Sequence, residues 1–171
     1  MKVKIFLVIA FLTIAASSFA QFRHIKGVKS IEAGAGISKY GLLYNGSYIQ
    51  YLSRKVYGKA TIFFEKGKDS GIEFSSTGGD LAVAYNFLKL GEGVYINGIS
   101  GLTMAMDKVT RGAESYDISN KFKVGALFGA EVEVFITDKI VFVVGADQRI
   151  VLGSEFGNYR AYYRGGIRFN F

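Results

Sequence analysis

The sequence predicts an all-β protein: an eight-stranded antiparallel transmembrane β-barrel behind a cleaved signal peptide. Three observations predict it. Segments of about ten residues alternate apolar and polar side chains with period two. The composition joins 22 Gly, 15 Phe and 11 Tyr to no Pro at all, in 171 residues. The chain also opens on an export-type leader, and no later run of about 18 apolar residues could serve as a transmembrane helix.

The leader is read from its three zones. Lys2 and Lys4 make it positive, Ile5 to Ala16 is almost wholly apolar, and Ser18-Phe19-Ala20 offers small residues at a cleavage site. The expected division is therefore 1–20 signal peptide and 21–171 barrel. Loss of Lys2 and Lys4 lowers the net charge from +7 to +5.

Eight strands follow, at residues 28–38, 44–52, 56–65, 72–87, 94–104, 122–136, 140–152 and 159–171. The first alternates Ile31, Ala33, Ala35 and Ile37 with Glu32, Gly34 and Gly36. The second, about Tyr44–Leu52, and the fifth, Val94–Met104, have the weakest pattern. The third sets Val56, Gly58, Ala60, Ile62 and Phe64 against Tyr57, Lys59, Thr61, Phe63 and Glu65. In the fourth, Gly79, Leu81, Val83, Tyr85 and Phe87 oppose Asp80, Ala82, Ala84 and Asn86. The sixth places Val124, Ala126, Phe128, Ala130, Val132 and Val134 opposite Lys123, Gly125, Leu127, Gly129, Glu131 and Glu133. The seventh opposes Ile140, Phe142, Val144 and Ala146 to Gly145, Asp147 and Arg149. The eighth is the clearest: Tyr159, Ala161, Tyr163, Gly165, Ile167, Phe169 and Phe171 against Arg160, Tyr162, Arg164, Gly166, Arg168 and Asn170.

Strands of this length, apolar outward and polar inward, fit a tilted membrane crossing of about 9–11 residues. An even number of strands lets the first and last pair and removes both edges. Connections alternate as such a barrel requires. Ser53–Lys55, Leu88–Gly93 and Thr137–Lys139 are short, the last held by Asp138 bonding its own backbone. Lys39–Leu43, Lys66–Gly71, Ala105–Lys121 and Gly153–Asn158 are longer or more polar. Both termini then share the short-turn side. Ile167, Phe169 and Phe171 resemble the C-terminal signal read by outer-membrane insertion machinery.

A barrel of eight strands is just wide enough to be filled by its own side chains. Its inward charges, Glu32, Asp80, Glu131, Glu133 and Asp147 against Lys59, Lys123, Arg149, Arg160, Arg164 and Arg168, must therefore pair. They read as a salt-bridged plug, with a small ion path as the alternative. Inward Gly34, Gly36, Gly125, Gly129, Gly145 and Gly166 leave room beside long Arg and Glu side chains, whereas outward Gly58, Gly98 and Gly165 have no such reason.

Candidate chemistry is sparse. With no Cys and one His, a disulfide framework, a Cys-ligated metal, a lipid-anchor cysteine and a Ser-His-Asp triad all lack their residues. His24 precedes the first strand and reads as a periplasmic tail residue, which argues against a barrel enzyme acting on lipid. Gly34 to Lys39 lacks the spacing and βαβ context of a phosphate loop. Asp107, Glu114 and Asp117 read as a solvated loop, with a divalent-cation site as the alternative. The Arg residues of the eighth strand point into the lumen, which argues against direct DNA contact. No cofactor and no metal are expected.

The last forty or so residues of the chain, about a quarter of it, carry a resemblance. Its marks are Glu131-Val-Glu133-Val-Phe135, Thr137-Asp138-Lys139, Gln148-Arg149, Gly153-Ser154 with Gly157, and Gly166-Ile167 with Phe169. In these features the chain resembles the TraO family of conjugative-transposon transfer proteins of Bacteroidetes. That resemblance implies a non-enzymatic outer-membrane barrel of a conjugative DNA-transfer apparatus, with outer-membrane lipid and other conjugation proteins as partners. A generic small barrel serving as anchor, adhesin or narrow pore is the alternative.

Overall fold

The structure is a computed structural model that describes residues 24–69, 72–111, 122–153 and 158–171. The expected signal peptide, Glu114, Asp117 and the Ser154–Gly157 part of the last loop lie outside them. Eight strands run β1 Lys29–Ser38, β2 Leu42–Tyr51, β3 Val56–Asp69, β4 Ile72–Leu90, β5 Val94–Arg111, β6 Lys123–Phe135, β7 Ile140–Val151 and β8 Tyr159–Asn170. They form a closed barrel in sequence order. β1 and β8 complete it with Glu32 opposite Arg168 and Gly36 opposite Arg164, all antiparallel. Beyond the seam, Lys29 and Phe171 exchange backbone hydrogen bonds of 3.2 and 2.9 Å.

Alternation becomes two faces. Outward residues such as Ile62, Leu81, Leu102 and Ile167 are 60–74% exposed, although apolar. In water such a continuous apolar surface would drive aggregation, whereas facing acyl chains it costs nothing. Outward aromatics gather towards the two rims, with Tyr44 paired beside Phe64 at one end and Phe169 beside Ile140 at the other. Interfacial aromatics of this kind set the depth of a barrel in a bilayer. Among the described residues no helix is long and apolar enough to cross a membrane; the crossing is made by strands.

The tight turns take local solutions. Between β2 and β3, Ser53 Oγ accepts from the backbone N–H of Lys55 and Val56 at 3.2 and 3.1 Å. Between β6 and β7 the capping residue is Thr137, whose Oγ1 accepts from Lys139 and Ile140 N–H at 3.2 and 3.0 Å. Asp138 Oδ1 makes no hydrogen bond, so the expected Asp turn is corrected. Thr137 stands at the position whose side chain folds back over the turn; Asp138 lies at its tip. Gly91, between β4 and β5, has φ +61°, the left-handed region that suits glycine. Near that turn β4 bulges between Asn86 and Leu88. Asn86 Nδ2 stitches the bulge by donating to the carbonyls of Leu88 and Ile96 and to Asn97 Oδ1 at 3.0–3.2 Å.

Two expected loops are corrected. Lys66–Asp69 continues β3, and Ala105–Arg111 continues β5. β4 and β5 therefore reach 19 and 18 residues, longer than a membrane crossing needs. Polar composition does not forbid backbone pairing. The three strands accordingly rise together past the last β2–β3 pair, Leu42 with Lys66, and the last β5–β6 pair, Ala105 with Lys123.

Glycines explain part of the tight fit. A Cβ on Gly36 would run into the Tyr163 carbonyl across the β1–β8 seam, and one on Gly129 into Asp147. A Cβ on outward Gly98 would come within 3.8 Å of the Phe87 ring, which covers this strand glycine from a diagonal position. Gly58 has open space around it, where it borders an apolar depression on the lipid face with Ala60 and Leu81. Nothing in the structure explains Gly165.

The full chain folded in detergent should give a β-type circular dichroism spectrum and a gel mobility that changes on boiling. Gly36→Val should abolish the fast-migrating folded band, because the seam cannot close over a branched side chain; Gly58→Val should retain it.

Candidate functional site

The inward face begins as a physical problem. Strand geometry forces every second residue into a lumen with no room for bulk water, so each charge placed there needs a partner. The partners come from across the barrel, arranged in storeys.

The lower storey is built around Arg168, which is fully buried. Its guanidinium donates to Glu32 at 2.8 and 3.0 Å, to Glu131 at 2.7 Å and to Glu133 at 2.5 Å. Tyr51 Oη accepts a further bond at 3.0 Å. Arg164, two inward positions higher on β8, donates to Asp147 at 2.6 Å, Glu131 at 2.7 Å and Glu32 at 3.1 Å. Lys59 reaches Glu32 at 2.8 Å and Glu131 at 3.1 Å, and Tyr57 Oη also donates to Glu131. Multiple donors on each carboxylate make these charge-assisted bonds strong and geometrically specific.

A single pair holds the middle. Arg149 donates to Asp80 at 2.7 Å, and its guanidinium sits between the Phe63 and Tyr162 rings, 3.9 and 4.3 Å from their centroids. Delocalised charge stacked on two π faces is the geometry that suits arginine rather than lysine.

In the upper storey Arg160 donates to Asp107 at 2.5 Å and to Ser76 Oγ at 3.3 Å, while Lys123 approaches Asp107 at 3.7 Å. Glu65 accepts from Tyr162 at 2.8 Å and from Ser38.

The structure thus places all eleven charges read as inward from the sequence, Glu32, Asp80, Glu131, Glu133, Asp147, Lys59, Lys123, Arg149, Arg160, Arg164 and Arg168, inside the barrel. They do not form one net. Glu32, Glu131, Glu133, Asp147, Arg164 and Arg168 come together below, Asp80 and Arg149 pair in the middle, and Arg160 stands above. Ile167 and Phe169 face outward on β8, and Phe171 is exposed just beyond it.

Two residues change role. Asp107, expected in a solvated loop, is 5% exposed on β5 and pairs with Arg160. Continuing the inward alternation of Ile99, Gly101, Thr103 and Ala105 by one step would have found it. His24, expected in a tail, is 3% exposed in the barrel floor. It stacks on Tyr95 with centroids 4.2 Å apart, meets Tyr51 at 4.9 Å, and bonds Glu133 through Nε2 at 2.7 Å. It stands beside the lower storey of four carboxylates and three fixed cations. No pattern marks it in the sequence, because it lies outside every strand. Glu65 was legible on the inward face of β3, but its partner Ser38 sits at the end of β1.

With this geometry in view, the comparisons with known proteins decide how far the resemblance holds. The family model of the conjugative transposon protein TraO matches residues 105–171. The TraO match takes in the end of β5 and all of β6, β7 and β8, and so every arginine of the lumen. Solved structures match the whole barrel. The N-terminal β-barrel domain of Pseudomonas aeruginosa OprF is 19% identical, with TM-score 0.65, covering 85% of this chain and 98% of that one. Neisserial surface protein A is 15% identical with TM-score 0.63, covering 84% and 96%. Ail, the attachment invasion locus protein of Yersinia pestis, is 13% identical with TM-score 0.55, covering 86% and 100%. At these identities the likeness is one of fold, and the fold is that of an outer-membrane barrel. No curated protein matches this sequence.

Removing Arg168 takes a donor from each of Glu32, Glu131 and Glu133 in the floor. Arg168→Ala should cost about 3–5 kcal/mol in urea unfolding from detergent micelles, and His24→Ala about 1–3 kcal/mol. Lys68→Ala, which breaks the exposed pair with Glu73, should cost less than about 1 kcal/mol.

Proposed function

We propose that this chain is a non-enzymatic outer-membrane component of a conjugative DNA-transfer apparatus. The observation that carries the reading is the TraO match across residues 105–171. The geometry narrows the role. The lumen is packed from floor to upper storey with ion pairs and with Tyr51, Tyr57, Phe63, Leu127 and Tyr162, so a DNA strand has no path through it. The barrel therefore serves the apparatus as an anchor or seal in the membrane, or as a contact site through the raised β3–β4–β5 strands. Outer-membrane lipid and other transfer proteins are its partners. In this reading residues 1–20 direct export, and the outward ladder Ile167, Phe169 and Phe171 is read during insertion. The non-enzymatic role is supported by His24, whose ring is committed to Glu133 and Tyr95 in the floor.

Deleting the gene from a donor should lower mating frequency at least tenfold, with restoration by the intact gene. Unchanged mating would reject the reading in favour of a general anchor or adhesin, and a gene neighbourhood without other transfer proteins would do the same. In planar bilayers the purified barrel should show no steady conductance; an open-pore current would contradict the sealed lumen.

A further inference from the structure

The storeys of the lumen do not meet completely. Between the Arg149–Asp80 pair and the Arg164–Asp147 pair lies a small cavity, with about 10 Å³ open to the centre of a water-sized sphere. Asn45, Asp80, Asp147 and Arg149 border it on the polar side, and Ile99 and Leu127 on the apolar side. All four polar residues are buried. Each also has atoms that make no hydrogen bond within the protein: Asn45 Oδ1 and Nδ2, Asp80 Oδ1, Asp147 Oδ1, and Arg149 Nε and Nη1. Buried polar groups in native proteins are seldom left so, and here the residues that carry these acceptors and donors line the same small space.

We infer that this cavity is a binding site for one ordered water molecule. Its size admits little else, since about one water-sized sphere is the least a hydrated cavity holds. Its charge also selects water over an ion. Lys59, Arg149 and Arg164 line the space together with Asp80 and Asp147, so a cation would meet three positive groups and an anion two carboxylates. Water alone donates to Asp80 Oδ1 and Asp147 Oδ1 while accepting from Asn45 Nδ2 or Arg149 Nε, within the two to four partners such waters use. Bound there, it joins the middle pair to the lower storey. It also gives Asn45, which neither pairs with a charge nor packs in an apolar cluster, a reason for its place.

The test uses crystals of the full chain in detergent, soaked in rubidium bromide, whose two ions both scatter anomalously. The expected result is a single oxygen-sized peak within hydrogen-bond distance of Asp80 Oδ1 and Asp147 Oδ1, with no anomalous signal. Asn45→Leu, which fills the space with methyl groups, should abolish that peak. An anomalous peak in the cavity, flat density there, or a peak that survives Asn45→Leu would each overturn the inference. The soak needs only the unaltered protein, so it stands even if the variant fails to fold.

Discussion

The structure depends on the pairing of charges that barrel closure forces together. Once eight strands close, alternate residues have nowhere to go but a narrow space of low polarity. A carboxylate left alone there would cost several kcal/mol. Arg168 resolves the problem for three of them, Glu32, Glu131 and Glu133. These lie on β1 and β6, so the guanidinium on β8 ties its seam partner β1 to a strand two places away on its other side. The same contacts that neutralise the charge therefore determine which strands can neighbour one another and in what register.

That constraint explains the rest of the interior. Arg164 and Lys59 share the carboxylates that Arg168 does not saturate, and Arg149 is held by ring faces where only one acid is within reach. The small inward residues Gly34, Gly36 and Gly129 are the counterpart of the large ones, since the barrel cannot widen around them. On the outside the requirement is reversed. The lipid face tolerates almost any apolar residue, which is why its glycines have weaker explanations than the inward ones.

The residues that fill the lumen act on the protein itself, keeping eight strands in one shape, and the lipid face and the raised β3–β4–β5 end are its outer surfaces. The TraO match falls on residues 105–171, which supply the lumen arginines, whereas the raised β3–β4 hairpin lies ahead of it.

Period-two alternation determined the eight strands, their inward charges and the apolar belt, because a strand's side chains must take opposite faces whatever their neighbours. It was also enough to show that the charges would be paired. It could not show who pairs with whom. Glu32 meets Arg168 across 136 positions, and only the closure of the barrel sets that distance. Nor could it place His24, which belongs to no strand and finds its ring partners only after Tyr51, Tyr95 and Phe135 converge at the floor. Asp107 lay between the two cases: its face follows from alternation, but only continued pairing with β4 shows that the strand reaches it. Local pattern thus decided the faces, since it depends on neighbouring residues alone. The tertiary structure decided the contacts, since those depend on strands brought together from both ends of the chain.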